Sequence, residues 1–316
     1  MKIALLIPFY NEEEQIPLTL KTVIPILEST RMDFELIMVD DGSRDRTWPV
    51  IEEACRRDTR LTGLRFSRNF GKEAAICAAL DQADSDAVIL MDGDLQHPPQ
   101  HIPDMIRLWQ EGFDIVEGVK STRGKESLAS RLNAKVFYGL FRRFSGYDLR
   151  NASDFKLLDR RVVEQWRRLG EHDTFFRGLS AWLGFKRTTF SFEVAARQTG
   201  GSKWSLYKLA ALSMNAITGF SAMPLQFITF LGLILLTGSV VLAIQTLVNW
   251  FTGQAASGFT TVILLLLLIG GSIMLSLGLI GIYVARIFTE VKGRPRYIIA
   301  ESAQTRKTGS DLTDPS

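Results

Sequence analysis

Charge is missing from one long stretch of this chain. From Leu209 to Ala285 there is no Asp, Glu, Lys, Arg or His, and every ionisable side chain lies before or after that stretch. No transport pathway through a membrane is supported by a segment without a single intramembrane charge. Net charge is only +3, too slight to suggest a nucleic-acid partner, and no dense Lys/Arg face with interleaved aromatics is present. The two cysteines, Cys55 and Cys77, make neither a disulfide framework nor a zinc site. Both fall in predicted helices and read as small buried residues in a reducing compartment. No G-x-G-x-x-G follows the first predicted strand, so a dinucleotide pyrophosphate has no glycine cradle. Absence of G-x-x-x-x-G-K-[ST] removes the usual nucleotide triphosphatase reading.

What is there divides into two parts. Residues 1–208 read as an ordinary soluble domain. Its apolar start, Ile3–Phe9, is short for a signal-peptide core and is followed at once by Asn11-Glu12-Glu13-Glu14, without a small-residue cleavage site; a first β-strand is the expectation. Two apolar segments, Met223–Val248 and Phe259–Ala285, each exceed the roughly 20 residues that cross a bilayer core. A short uncharged connector, Asn249 to Gly258, suits a tight hairpin. Lys203 and Lys208 precede the first span, and Arg286, Lys292, Arg294 and Arg296 follow the second. Positive charge at both outer ends predicts an integral inner (cytoplasmic) membrane protein with two spans, its soluble domain and both termini cytoplasmic.

Gly270, Gly271, Ser272, Ser276, Gly278 and Gly281 punctuate the second span. They would allow close helix packing, within the hairpin or in a homo-oligomer. Trp204, Tyr207, Lys208, Leu209 and Leu212 mix aromatic, basic and apolar side chains as an interfacial segment does. The expected organisation is a soluble domain over 1–202, an interfacial segment over 203–222, a transmembrane hairpin over 223–288 and a C-terminal segment over 289–316. The polar end of that segment, Glu301–Ser316, is expected to be mobile.

Within the soluble part, strands are predicted at Lys2–Phe9, Phe34–Val39, Leu61–Phe66, Ala87–Met91 and Phe113–Val119. Helices are predicted at Glu12–Leu27, Asp45–Arg57, Lys72–Ala83 and Pro99–Gln110. Apolar strands alternating with helices predict an α/β fold with a mainly parallel sheet. Ligands of such sheets bind beyond the carboxyl ends of the strands. The polar clusters there are Pro8-Phe9-Tyr10-Asn11-Glu12-Glu13, Val39-Asp40-Asp41-Gly42-Ser43 and Met91-Asp92-Gly93-Asp94-Leu95-Gln96. A carboxylate pair such as Asp92 and Asp94 suits an oxygen-ligated Mg²⁺ or Mn²⁺ that also holds substrate phosphates. His97 and His101 stand four apart, yet Pro98 and Pro99 between them look like a helix start rather than a metal face.

Taken together, these motifs resemble family 2 glycosyltransferases of the GT-A fold, and among them the polyprenyl-phosphate branch. That branch includes dolichol-phosphate mannose synthases and bactoprenol glucosyl and aminoarabinosyl transferases. The similarity runs through PFYNEE at 8–13, VDDGS at 39–43, SRNFGKEAA at 67–75, MDGDLQHPP at 91–99 and NASDFKLLDRRVV at 151–163. It continues through FFRGLSAWLGF at 175–185, RQTGGSKWS at 197–205 and EVKGRPRYII at 290–299.

The resemblance implies a Rossmann-like catalytic domain followed by an interfacial helix and two transmembrane helices, and roles for named residues. Pro8, Tyr10, Asn11, Glu12, Asp40 and Lys72 would line the nucleoside pocket, with Asp40 accepting a base N–H. Asp92, Gly93 and Asp94 would hold the metal and diphosphate, Gln96 would lead into the sugar site, and Asp94, Gln96 and Asp154 would be the catalytic set. Arg197 and Lys203 would close over the diphosphate, and Arg123 and Arg131 would meet the acceptor phosphate. Asp154 is expected to orient the acceptor more than to abstract a proton, since a lipid monophosphate with a second pKa of about 6 is already largely dianionic at neutral pH. Ala134 stands where many relatives have a serine, and Asn215 where they often have Asp.

The implied activity is inverting transfer of a hexose, UDP-glucose being the preferred donor, to undecaprenyl phosphate. UDP-galactose, UDP-N-acetylhexosamine, a formyl-aminoarabinose donor and GDP-mannose are the alternatives. A processive synthase usually has more spans and a Q-x-x-R-W motif, whose counterpart here reads FFRGL. A scaffold with a decayed transferase fold is disfavoured by the intact Asp92, Asp94 and Arg197.

Overall fold

The computed structural model describes residues 1–120, 152–172, 174–193, 223–252 and 258–304. It divides into two units. One holds the sheet and includes the chain from Pro295 onward; the other holds the two long apolar helices.

The sheet unit is built from β1 (Lys2–Phe9), α1 (Gln15–Ser29), β2 (Asp33–Asp40), α2 (Thr47–Arg57), β3 (Leu61–Phe66), α3 (Lys72–Gln82) and β4 (Ala87–Leu90). A 3-10 turn at Pro99–His101 then leads into α4 (Ile102–Gln110), and β5 (Ile115–Lys120) follows. Further on come β6 (Ala152–Asp159), α5 (Arg160–Arg168), α6 (Phe176–Trp182), β7 (Arg187–Phe192) and, past the long helices, β8 (Ile299–Gln304). The strands form one eight-stranded sheet in the order β7-β5-β6-β4-β1-β2-β3-β8. β1, β2, β3 and β4 run parallel, and β6 and β8 lie antiparallel to their neighbours β4 and β3.

Burial explains the central strands. Ile3 to Ile7 of β1 are at most 1% exposed, as a strand covered on both faces requires. α1 turns Ile16, Thr19, Val23 and Leu27 inward, one stripe at helical spacing. In α3 every residue from Ala74 to Leu80 is buried, so this helix of mostly small residues is enclosed rather than amphipathic.

The structure departs from the sequence expectation in two places. Pro99–Gln110 is not one helix: the two prolines start a tight turn and α4 begins at Ile102. Glu301–Gln304 does not belong to a mobile tail. It lies in β8, where Glu301 accepts the Trp48 indole N–H at 3.0 Å and pairs with Arg65 at 2.5 Å. At Gly270, Gly271, Gly278 and Gly281 of the second span, an added Cβ would meet nothing within 4 Å among the described residues.

The long helices are α7 (Met223–Phe251) and α8 (Phe259–Val291). Within them Leu225–Asn249 and Leu265–Val291 have mean hydropathies of 2.5 and 2.4 and are long and apolar enough to cross a membrane. Their large apolar side chains are exposed along the whole length, a surface that lipid, not water, would cover.

Candidate active site

β1 lies between β2 and β4, so the polar loops after these strands meet at one edge of the sheet. The first two loops are tied together by side chains. Asn11 sits at φ +53, a left-handed conformation that Asn tolerates better than most residues. Its N–H donates to Ser43 Oγ and its amide oxygen accepts the Arg44 N–H, both at 2.9 Å. The Glu12 N–H donates to Thr47 Oγ1 at 2.9 Å, and Glu13 accepts the Arg46 N–H at 3.0 Å. Asn11 and Glu13 therefore hold loop to loop.

Asp41 fixes the next segment. Its carboxylate accepts the backbone N–H groups of Phe70 at 2.7 Å and Gly71 at 2.9 Å and the Asn69 amide at 2.9 Å. This sets the turn from which α3 and Lys72 start. Gly42, at φ +66, must be glycine, because a Cβ would lie 2.4 Å from the Arg68 backbone. Burial raises the Asp41 pKa, opposed by the N–H groups it accepts. Asp40 is wholly buried at the end of β2. Burial raises its pKa too, opposed by its bonds to Ser43 and the charge of Arg65.

The Asp92-Gly93-Asp94 turn packs directly on the first loop. A Cβ at Gly93 would stand 2.4 Å from the Phe9 ring, so only glycine allows this approach. The Gly93 carbonyl accepts the Thr19 hydroxyl at 2.6 Å. Buried His97 accepts the Asp92 N–H at Nδ1, 3.2 Å away, and stacks on Phe155 with centroids 5.3 Å apart. His97 is thus a brace for the Asp92 turn. Asp94 in turn accepts the Gln96 N–H at 3.1 Å.

Lys72 joins this turn to β6. Its ammonium lies 2.6 Å from Asp92 and 2.7 Å from Asp154. On the other side the Arg177 guanidinium grips Asp154 with both prongs, at 2.8 and 2.9 Å. Burial alone would raise the Asp154 pKa, but Lys72 and Arg177 outweigh it and hold the carboxyl far below its ordinary range. Desolvation would lower the Lys72 pKa, and Asp92 and Asp154 reverse this to push it well up. Asp154 is therefore a permanent anion at physiological pH. Glu73, next to Lys72, accepts the Phe176 N–H at 2.8 Å. Burial and the nearby Asp154 push its carboxyl up to about 7.

A cleft of about 330 Å³ opens over this ground, lined by Pro8, Phe9, Tyr10, Glu12, Asp41, Asn69, Gly71, Lys72, Asp92, Gly93 and Asp94. Seven of these residues, Pro8, Tyr10, Glu12, Lys72, Asp92, Gly93 and Asp94, carry expectations from the sequence. Asn11, Asp40, Gln96 and Asp154 stand beside or beneath the cleft, Asp154 reaching it through Lys72. Arg123, Arg131, Arg197, Lys203, Ala134 and Asn215 lie outside the described residues. Asp41 and Arg177 were not singled out from sequence. Each stands inside a quoted motif, VDDGS or FFRGL, but only the fold shows what it touches.

Among the described residues, no group of three or more His, Cys, Asp and Glu side chains forms a metal cage. Asp92 and Asp94 at the cleft supply oxygen ligands only. That set fits a hard divalent cation whose remaining ligands are phosphate oxygens and water. It does not fit zinc, which prefers nitrogen and sulfur.

A mainly parallel α/β sheet binds its ligands beyond the carboxyl ends of the strands, and there this chain carries an acidic turn beside a lysine. Residues 4–166 match Glycosyl transferase family 2, and the chain belongs to that family and is a glycosyltransferase of the GT-A fold. It is 37% identical to the SfII prophage-derived bactoprenol glucosyl transferase of Shigella flexneri over 96% of this chain and 98% of that one. It is 36% identical to a prophage bactoprenol glucosyl transferase homolog of Escherichia coli K12, over 95% of this chain and 98% of that one. A crystal structure of glucosyl-3-phosphoglycerate synthase from Mycobacterium tuberculosis, in complex with Mn²⁺, UDP-glucose and phosphoglyceric acid, aligns with 68% of this chain and 77% of that one, at a TM-score of 0.45 and 23% identity.

Proposed function

We propose that this enzyme transfers a hexose, with inversion, from a nucleotide-sugar to a polyprenyl phosphate at the cytoplasmic face of the membrane, and that UDP-glucose is the donor. The carrying observation is that one chain joins two helices of membrane-spanning length to a cleft in which Asp92, Asp94 and Lys72 converge. Relatives named bactoprenol glucosyl transferases match it over nearly their full length, which supports a lipid acceptor and a glucosyl donor.

Pro8, Tyr10 and Glu12 form the wall on which the nucleoside lies, with Asp41 and Asn69 beside them. Asp92 and Asp94 would hold a divalent cation, Mg²⁺ or Mn²⁺, which when bound would supply positive charge against the donor diphosphate. Lys72 supplies a fixed positive charge next to that site. Arg197 and Lys203 cover the diphosphate, and Arg123 and Arg131 receive the acceptor phosphate.

Asp154 keeps Lys72 and Arg177 in place as an unprotonated anion. A carboxyl with so low a pKa is a poor proton acceptor. The attacking oxygen needs no base, because a phosphate monoester is mostly dianionic above a pH of about 6. The spans keep the enzyme in the bilayer that holds its acceptor, with both termini on the side where nucleotide-sugars are made. A donor screen with purified full-length protein, undecaprenyl phosphate and Mn²⁺ tests the reading. UDP-glucose should give lipid-linked sugar fastest, ahead of UDP-galactose, UDP-N-acetylhexosamine, GDP-mannose and a formyl-aminoarabinose donor. Faster transfer from one of the others would overturn the donor assignment, and no product from any would overturn the reaction.

A further inference from the structure

We propose that Lys156 and Glu117 are positioning residues for sugar transfer: they seat the helix α6 so that Arg177 grips Asp154. The proposal rests on the transferase reading only for the importance of the Arg177–Asp154 pair. Lys156 and Glu117 are 2% and 8% exposed, and the ammonium stands 3.3 Å from the carboxylate. They face each other across β5 and β6. Lys156 also donates to Ser180 Oγ on α6 at 2.7 Å, and its ammonium lies 5.4 Å from the centre of the Phe176 ring.

Asp154 and Lys156 both reach α6 from β6. Arg177 and Ser180 are three apart on α6 and share a side of the helix. Helix and strand are thus joined by two polar rungs, Arg177–Asp154 and Ser180–Lys156. The Ser180 hydroxyl also bonds the Arg177 carbonyl at 3.1 Å, which links the rungs.

Adhesion of α6 does not require the inner rung. Phe176 packs edge-on to Trp166 with centroids 5.2 Å apart, and its N–H is held by Glu73. A buried ion pair is often no more stabilising than apolar residues of the same size. What Lys156 adds is direction, a fixed point that sets how far α6 slides along β6. That position decides whether both prongs of Arg177 reach Asp154, and through it the placing of Lys72 beside Asp92.

The test replaces the pair by apolar residues of similar size, Lys156→Met with Glu117→Leu, in the full-length protein in detergent. Turnover should fall at least about tenfold, within the scale expected for misplacing a catalytic group by up to about 1 Å, with a smaller loss of UDP affinity. Ser180→Ala, which keeps the ion pair and removes the hydroxyl's bonds to Lys156 and to the Arg177 carbonyl, should lower kcat in the same direction. The Arg177 Nε–H resonance, assigned with Arg177→Lys, should shift in both variants, and it reports on the pair even if the wild type transfers no sugar. A double variant with kcat within about twofold of wild type and an unmoved Arg177 resonance overturns the proposal. Should the double variant fail to fold, an unchanged kcat and resonance in Ser180→Ala overturns it equally.

Discussion

Replacing Asp154 by Asn removes one negative charge from between two positive ones while keeping the size of the side chain. Asp154 is 7% exposed, and its partners Lys72 and Arg177 are 40% and 35% exposed. Taking one partner from a buried pair costs about 3–5 kcal/mol. Solvent reaches both cations, and Lys72 keeps Asp92, so about 2 kcal/mol is the better expectation. For a unit of this size that lowers the melting temperature by about 4–8 °C. The sign with pH is fixed by the depressed Asp154 pKa, below its ordinary 3.8. Its stabilisation is complete above that ordinary value and is lost as pH falls through the folded-state pKa. Wild type and Asp154→Asn should therefore differ at pH 7 and converge in strong acid.

Kinetically, Asp154→Asn should reduce turnover at least about a hundredfold, since both cations lose their alignment. The acid limb of the rate profile, belonging to the acceptor phosphate with its second pKa of about 6, should stay where it is. Melting curves in detergent and initial rates between pH 5 and 8 read both effects. A melting temperature unchanged at pH 7, or an acid limb that vanishes in the variant, refutes the reasoning; the second outcome would make Asp154 a base.

Gly93→Ala forces a Cβ to within 2.4 Å of the Phe9 ring; overpacking of about 1–3 kcal/mol should appear as a lower melting temperature and a raised donor KM, and a variant with wild-type KM would contradict the packing. Glu73, with its carboxyl pushed up to about 7 from 4.5, contributes stability that is whole below pH 4.5 and lost as pH rises through about 7. Melting temperature should accordingly fall more steeply between pH 5 and 8 in wild type than in Glu73→Gln, and parallel curves would refute it. Removing divalent metal with a chelator should abolish transfer, with Mg²⁺ or Mn²⁺ restoring it; transfer that persists in the chelator would rule out a metal role for Asp92 and Asp94.

The strands that build the floor of the cleft were legible because β1 and β4 are almost wholly apolar and β2 and β3 carry short apolar runs between turns. Asp92 and Asp94 were legible for a related reason, a carboxylate pair at the end of such a strand. β6 was hidden because its apolar run is broken by Asp154 and Lys156, whose burial makes sense only beside Arg177, Lys72 and Glu117. β8 was hidden because its polar residues pair along one edge only, with β3, and most stay exposed. In VDDGS, Asp40 is the last residue of β2 and Asp41 opens the loop that follows. The resemblance placed Asp40 in the nucleoside pocket, whereas the residue lining the cleft is Asp41 and Asp40 is wholly buried at the end of β2.

The claim of a lipid acceptor is tested most directly by the product itself. Full-length protein in detergent would be given undecaprenyl phosphate, UDP-[¹⁴C]glucose and Mn²⁺, and the organic phase analysed by chromatography and mass spectrometry. The account predicts radiolabel in a lipid whose mass is that of undecaprenyl phosphate plus one hexose, absent when Asp92 and Asp94 are both changed to Asn. Label that stays in the aqueous phase with every donor, from protein that is folded and binds UDP, would contradict it.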